Sequence, residues 1–215
     1  MSQMNPEIST PTAATAPPLV SQKLTYEEFL REYDGQYAEY VEGEVIIPMS
    51  VTQTHDNLTR FLSAILRFFA EAKNLGRICG EPYQMKMLLD GETRGREPDI
   101  FFVKTENLDR VKEQFFDGAA DLVVEIVSPE SVVRDTQDKF GEYEAAGVKE
   151  YWVIDPNRRT ANFYGFDENG KYQLLPIENG KFESRVIEGF WMRTDWLWRE
   201  TLPDLMTVLK ELKVI

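Results

Sequence analysis

Residues 122–130 read LVVEIVSPE, and no other run constrains the fold as tightly. Leu122, Val123, Val124, Ile126 and Val127 leave no polar face, the pattern of a strand covered on both sides by other elements. Glu125 sits in the middle of it. An ionised carboxylate there costs several kcal/mol, comparable to a domain's net stability, unless something compensates it. The fold must therefore supply Glu125 with a partner. The plain choice is an arginine such as Arg134 or Arg158; the chemical choice is a site.

A second run of this kind, PDIFFV (98–103), opens on an acid, Asp99. With a side-chain period of two, Asp99 shares a face with Phe101 and Val103, and Glu125 shares one with Val123 and Val127. If the two strands are neighbours, their carboxylates converge, and like charges that close require a cation between them or a proton on one. A hard divalent cation such as Mg²⁺ takes one or two carboxylates, a backbone carbonyl and several waters. The following helix, in RDTQDKFGEYEAAG (134–147), carries Lys139, Tyr143 and Ala146 on one face. Lys139 falls on the flank of the inward side, near the C-terminal end of the Glu125 strand. A lysine there orients a metal-bound water and offsets developing negative charge. Each residue also has an ordinary reading: Asp99 as a strand-start acceptor of backbone hydrogen bonds, Lys139 as a solvated helix lysine.

His55, the single histidine, stands three residues before Leu58 and seven before Leu62. That spacing puts it on the apolar stripe of a helix over 55–74, at the N-terminal end, where a neutral imidazole is favoured. It is a structural rim group or a supporting residue behind the site. Thr54 is the expected cap of this helix. Elsewhere Thr25 to Glu28 has capping-box spacing, and EYVEGEVII (39–47) reads as a strand broken by a turn at Gly43. Strands are expected at 77–80, 84–89, 99–103, 121–127 and 150–156, a helix over 136–146 ending at Gly147, and a hairpin over 162–175. A polar, helix-compatible stretch spans 105–117 and an amphipathic helix 202–214. The order predicts an α/β domain with a central mixed sheet flanked by helices, over 23–215. Residues 1–22, rich in Pro, Thr, Ala and Ser, are expected to form a flexible tail.

Composition narrows the function classes. The chain has 215 residues and one cysteine, Cys79, so it builds neither a disulfide framework nor a cysteine-rich zinc site, which fits a reducing cytoplasm. The first twenty residues have no basic start and no apolar run, so no signal peptide is expected, and no apolar stretch is long enough for a membrane span. One histidine and the absence of a G-x-S-x-G elbow remove zinc-peptidase and serine-esterase chemistry. The net charge of −13 weighs against a nucleic-acid partner, which usually leaves a basic footprint. Two short basic pairs, Arg94 with Arg96 and Arg158 with Arg159, are either ordinary surface residues or a local positive rim for phosphates. Trp191, Trp196 and Trp198 either close the core or form a dimer contact.

Taken in order, EYVEGEVI, a histidine opening the first long helix, REPDIFFV and DLVVEIVSPES–RD–K–Y–AGVKEYWVIDP resemble the Uma-type endonucleases, a bacterial family of the restriction-endonuclease-like PD-(D/E)XK superfamily. The resemblance covers about 25–175. It implies a restriction-endonuclease-like core, a metal-dependent nuclease using Mg²⁺ or Mn²⁺, a nucleic-acid substrate with DNA foremost, and a homodimer. By it, Asp99 and Glu125 are metal-binding acids and Lys139 the catalytic lysine. The superfamily lysine normally follows the acid by two residues; here that position is Val127, and Lys139 stands where the family moves it. An early acid completes many such sites; Glu39, Glu42 and Glu44 are the candidates, Glu42 as a supporting residue. The competing reading is a nuclease fold that binds or scaffolds without cleaving.

Overall fold

The computed structural model describes residues 23–215 except 50 and 130; the tail expected over 1–22 lies outside the described residues. Its centre is a six-stranded sheet built from β3 (Gly76–Cys79), β6 (Ile100–Lys104), β8 (Leu122–Ile126), β9 (Glu150–Asp155), β10 (Thr160–Phe166) and β11 (Tyr172–Leu174), in the order β11-β10-β9-β8-β6-β3. β8 and β9 run parallel and are joined by α3 (Lys139–Ala146), while β6 pairs antiparallel with β8. This is the mixed sheet that the sequence order predicts. Every residue of β8 is buried, because both faces are covered.

One face packs against α2 (Gln53–Ala72), α4 (Leu205–Glu211) and the C-terminal segment. Leu58, Leu62, Ile65, Leu66 and Phe69 of α2 meet Ile100, Phe102, Val124 and Ile126 there, with Trp196 in the same cluster. Trp196 therefore closes the core, while Trp191 and Trp198 lie partly buried at its edge. The opposite face, with Phe101, Val103, Val123, Val127, Tyr151 and Val153, packs on α3 and on a second sheet. That sheet holds β1 (Glu39–Val41), β2 (Glu44–Ile46), β4 (Gln84–Leu89), β5 (Glu92–Arg96) and β7 (Phe115–Asp117), in the order β2-β1-β5-β4-β7. α1 (Tyr26–Glu32) starts at Thr25 with the expected capping box. A small sheet of β12 (Ile177–Glu178), β13 (Lys181–Glu183) and β14 (Trp191–Arg193) completes the strands.

Several details depart from expectation, each for a local reason. α2 is capped by Thr52, whose side chain accepts from His55 N, and not by Thr54. Residues 105–117 form a 3₁₀ segment over Thr105–Arg110 and then β7, since Phe116 fills the space beside Phe101. β5 is not expected from the sequence because ETRGR has no apolar alternation; its buried residues are Gly95 and Arg96. Of the helix expected over 136–146, residues 136–138 belong instead to a π turn, Arg134–Asp138, and regular α-helix begins at Lys139. Gly147 ends it in the left-handed conformation, φ 91°, as its position predicts.

Candidate active site

The register of β6 on β8 decides where the two anomalous acids meet. Ile100 pairs with Val124 and Phe101 with Val123, so one antiparallel step further Asp99 stands across from Glu125 on the same face. The carboxylate of Asp99 also takes over a strand bond, with Ile126 N donating to Asp99 Oδ2 at 2.5 Å. Glu125 is 3 % exposed and Asp99 6 %. The partner of Glu125 is neither Arg134 nor Arg158. Lys139 Nζ donates to Glu125 Oε1 at 2.9 Å, and Tyr143 OH donates to the same oxygen at 2.8 Å. Both come from one face of α3, four residues apart.

Lys139 also reaches Glu39 Oε1 at 3.0 Å and lies 3.7 Å from Asp135 Oδ1. Of the early acids, Glu39 is thus the one beside the lysine. It is held from behind by Arg96, whose Nη1 donates to Glu39 Oε2 at 2.9 Å and whose Nε and Nη2 donate to Glu142. Glu42 does not reach this cluster: it occupies the β1–β2 turn at φ 51° and pairs with Arg94. Glu44 is exposed on β2. Arg94 and Arg96 are tied to these acids, Arg96 only 3 % exposed, so this pair forms no phosphate rim. On the other flank His55 Nε2 lies 3.2 Å from Asp99 Oδ2, and Glu81 hydrogen-bonds to Asp99 while accepting from Tyr37 OH.

These groups line a small cavity of about 20 Å³, room for one water or one ion. Its walls bring together Glu39, Glu81, Asp99, Glu125 and Asp135 against three basic groups, His55, Arg134 and Lys139. The surplus of acid sets the proton balance. Burial works against ionisation of Glu39, but Lys139 and Arg96 outweigh it and hold the carboxyl down at about 2. Burial, with Asp135, Asp99 and Glu39 nearby, pushes Glu125 well above the usual carboxylate range despite Lys139. Burial and the bond to Asp99 raise Glu81 to about 8. Burial disfavours charge on Asp99 too, yet its bonds from His55, Glu81 and Ile126 N lower it. His55 is less strongly biased to the neutral form than a helix N-terminus alone would make it: burial opposes its charge, but Asp99 raises its pKa above the ordinary histidine value.

A family model described as "Putative restriction endonuclease", named Uma2, matches residues 25–195. The chain belongs to the Uma2 family. Among solved structures, one described as that of a "putative nuclease belonging to DUF820 from Anabaena variabilis" aligns with a TM-score of 0.66 at 18% identity, covering 81% of this chain and 97% of that one. The Uma2 chain shares its restriction-endonuclease-like fold. No curated protein matches the chain.

Within this Uma2 site, three groups escaped the sequence analysis as site members: Glu81, Asp135 and Arg134. Asp135 had a legible signal, standing four residues before Lys139. Glu81 had none, because it enters from a turn after β3 whose spacing to Asp99 only the folded sheet defines. Among the described residues no three His, Cys, Asp or Glu side chains form a ready metal cluster. The donor chemistry nevertheless suits a hard cation: opposed carboxylates, a cavity of ionic size, and a buried Asp135 Oδ1 without a hydrogen-bond partner.

Proposed function

We propose that this protein hydrolyses nucleic-acid phosphodiesters, DNA foremost, at the Asp99–Glu125–Lys139 cluster, with Mg²⁺ or Mn²⁺ held by Asp99 and Glu125. One observation carries the reading. Asp99 stands opposite Glu125 across the β6–β8 ladder, and Lys139 Nζ reaches Glu125 from α3 at 2.9 Å. The lysine missing at position 127 is thus supplied by the next element, while Val127 packs in the apolar cluster with Tyr143. The two acids and the lysine of the superfamily motif then have counterparts in one cavity.

A bound divalent ion would supply a water acidic enough to attack at neutral pH and positive charge for the pentacovalent transition state. The chain's own residues do the rest. Asp99 and Glu125 fix the donor geometry from adjacent strands, and Ile126 N and His55 hold the Asp99 carboxylate in one orientation. Lys139 keeps its proton: burial disfavours the charge, but Glu125, Glu39 and Asp135 together raise its pKa. It therefore acts as a fixed positive donor beside the reacting phosphate, stabilising charge and orienting the attacking water, and not as the general base. Glu39 and Arg96 hold the lysine in place. Two-fold assembly is part of the proposal, as a means of cutting both strands.

The test is cleavage of supercoiled plasmid and of single-stranded DNA with Mg²⁺ or Mn²⁺, comparing Glu125→Ala and Lys139→Met with the parent. Loss of nicking in both variants is expected, on the order of 10²-fold or more. Equal nicking by parent and Glu125→Ala would assign the activity to a contaminant. No metal binding at millimolar Mn²⁺ would favour a nuclease fold that binds or scaffolds without cleaving.

A further inference from the structure

The cavity is acidic, yet a phosphodiester must approach it, so some cation at its mouth has to be free to meet the anion. Among the described residues three basic side chains line the cavity, and two are committed. Lys139 serves Glu125 and Glu39 at 2.9 and 3.0 Å, and His55 lies against Asp99 at 3.2 Å. The third is Arg134. Its nearest acid is Asp135, at 3.7 Å, beyond hydrogen-bond length. Its Nε is buried and without a hydrogen-bond partner, and so is Asp135 Oδ1. The side chain is 24% exposed, against 3% for Lys139, so it spans from the cavity wall to solvent.

The backbone explains how it gets there. In the π turn Arg134–Asp138, Lys139 N donates to Arg134 O, five residues back. The wider turn lets Arg134, Asp135 and Lys139 all border one cavity. Single π turns inside helices recur at functional sites.

We infer that Arg134 is the phosphate-binding residue of this site, receiving a backbone phosphate of the nucleic-acid strand on its guanidinium as the strand reaches the cavity. The inference rests on the nuclease reading and names the group that admits its substrate. A guanidinium fork matches two phosphate oxygens, and an arginine with an unmade hydrogen bond gains more from such a ligand than one already saturated. The alternative, that Arg134 only neutralises Asp135 and Glu39, predicts a contribution to stability and none to nucleic-acid affinity.

The experiment measures binding of a fluorescent DNA duplex and a single strand to the full chain by anisotropy, across a salt series. Glu125→Ala is the background, so cleavage does not intervene. Arg134→Gln and Arg134→Lys are compared in that background, with thermal melting of each. Arg134→Gln is expected to weaken binding about tenfold and to lower the slope of log affinity against log salt by about 0.9 for duplex or about 0.7 for a single strand. Arg134→Lys should keep the salt slope and lose part of the affinity. Unchanged affinity and slope in Arg134→Gln would overturn the inference even while the parent binds and cuts. If Arg134→Gln melts early, Arg134→Lys decides: a lysine that restores melting and leaves affinity equal to the parent's in every respect would assign Arg134 a neutralising role only. Failure of the parent itself to bind or cut DNA would sink the nuclease reading, and this inference with it.

Discussion

Replacing Lys139 by Met keeps most of the side chain's length and apolar stem while removing its charge, which isolates the electrostatic role of the residue. Lys139 is 3% exposed and contacts Glu125 and Glu39 directly. Glu39 reads out its effect. Burial alone would raise this carboxyl, but Lys139, the strongest of the opposing influences, and Arg96 bring it from 4.5 to about 2. Holding a carboxyl that far down corresponds to on the order of 3 kcal/mol of stability at neutral pH. The folded value is the depressed one, so this stability is present above about pH 4.5 and is lost as pH falls towards 2. Removing one member of a buried ion pair costs about 3–5 kcal/mol for the same reason. Lys139→Met should therefore lose roughly 3 kcal/mol or more at pH 7.5. At pH 3.5 the loss should be smaller by at least about 1 kcal/mol, because the orphaned acids then take protons in both states. Urea unfolding followed by tryptophan fluorescence, with chelator present, measures both values. Adding Glu39→Gln to Lys139→Met should recover part of the loss, giving a coupling of a kcal/mol or more. A loss below about 1 kcal/mol at pH 7.5, or one that does not change with pH, would refute the reasoning.

The same electrostatics predict that metal binding releases protons. Glu125 stands above its ordinary range and Glu81 at about 8, so a divalent ion displaces protons and its affinity should rise between pH 6 and 8. Calorimetry with Mn²⁺ in buffers of different ionisation enthalpy checks this, and a binding heat independent of buffer would contradict it. Gly80→Ala should disturb the site from the backbone, since a Cβ there would sit 2.3 Å from the carbonyl oxygen of Asp99. A loss of about 1–3 kcal/mol in thermal or urea unfolding is expected, together with reduced cleavage; parental stability in this variant would show that the β3–β6 contact yields freely.

Much of the candidate site was legible in the sequence for one physical reason: a charge inside an apolar strand is unfavourable enough to demand a partner. That argument singled out Glu125 and Asp99 from composition and period alone, and helical spacing put Lys139 and Tyr143 on one face. The two residues indeed meet on Glu125 Oε1. The strand–helix–strand unit around α3 and the stripe of α2 were equally plain, because burial writes itself into apolar periodicity.

What the sequence could not decide was long-range register and which of several similar groups are brought together. Glu39, Glu42 and Glu44 are chemically alike and two or three residues apart; only the pairing of β1 with β5 beside α3 puts Glu39 against Lys139 and leaves Glu42 on a turn with Arg94. Arg94 and Arg96 read as surface cations and are consumed by acids from distant elements. Glu81 reaches Asp99 from a turn with no periodic signal. A strand's period tells which way a side chain points, but which strand lies across from it is settled by the sheet, and that is where this site acquires its geometry.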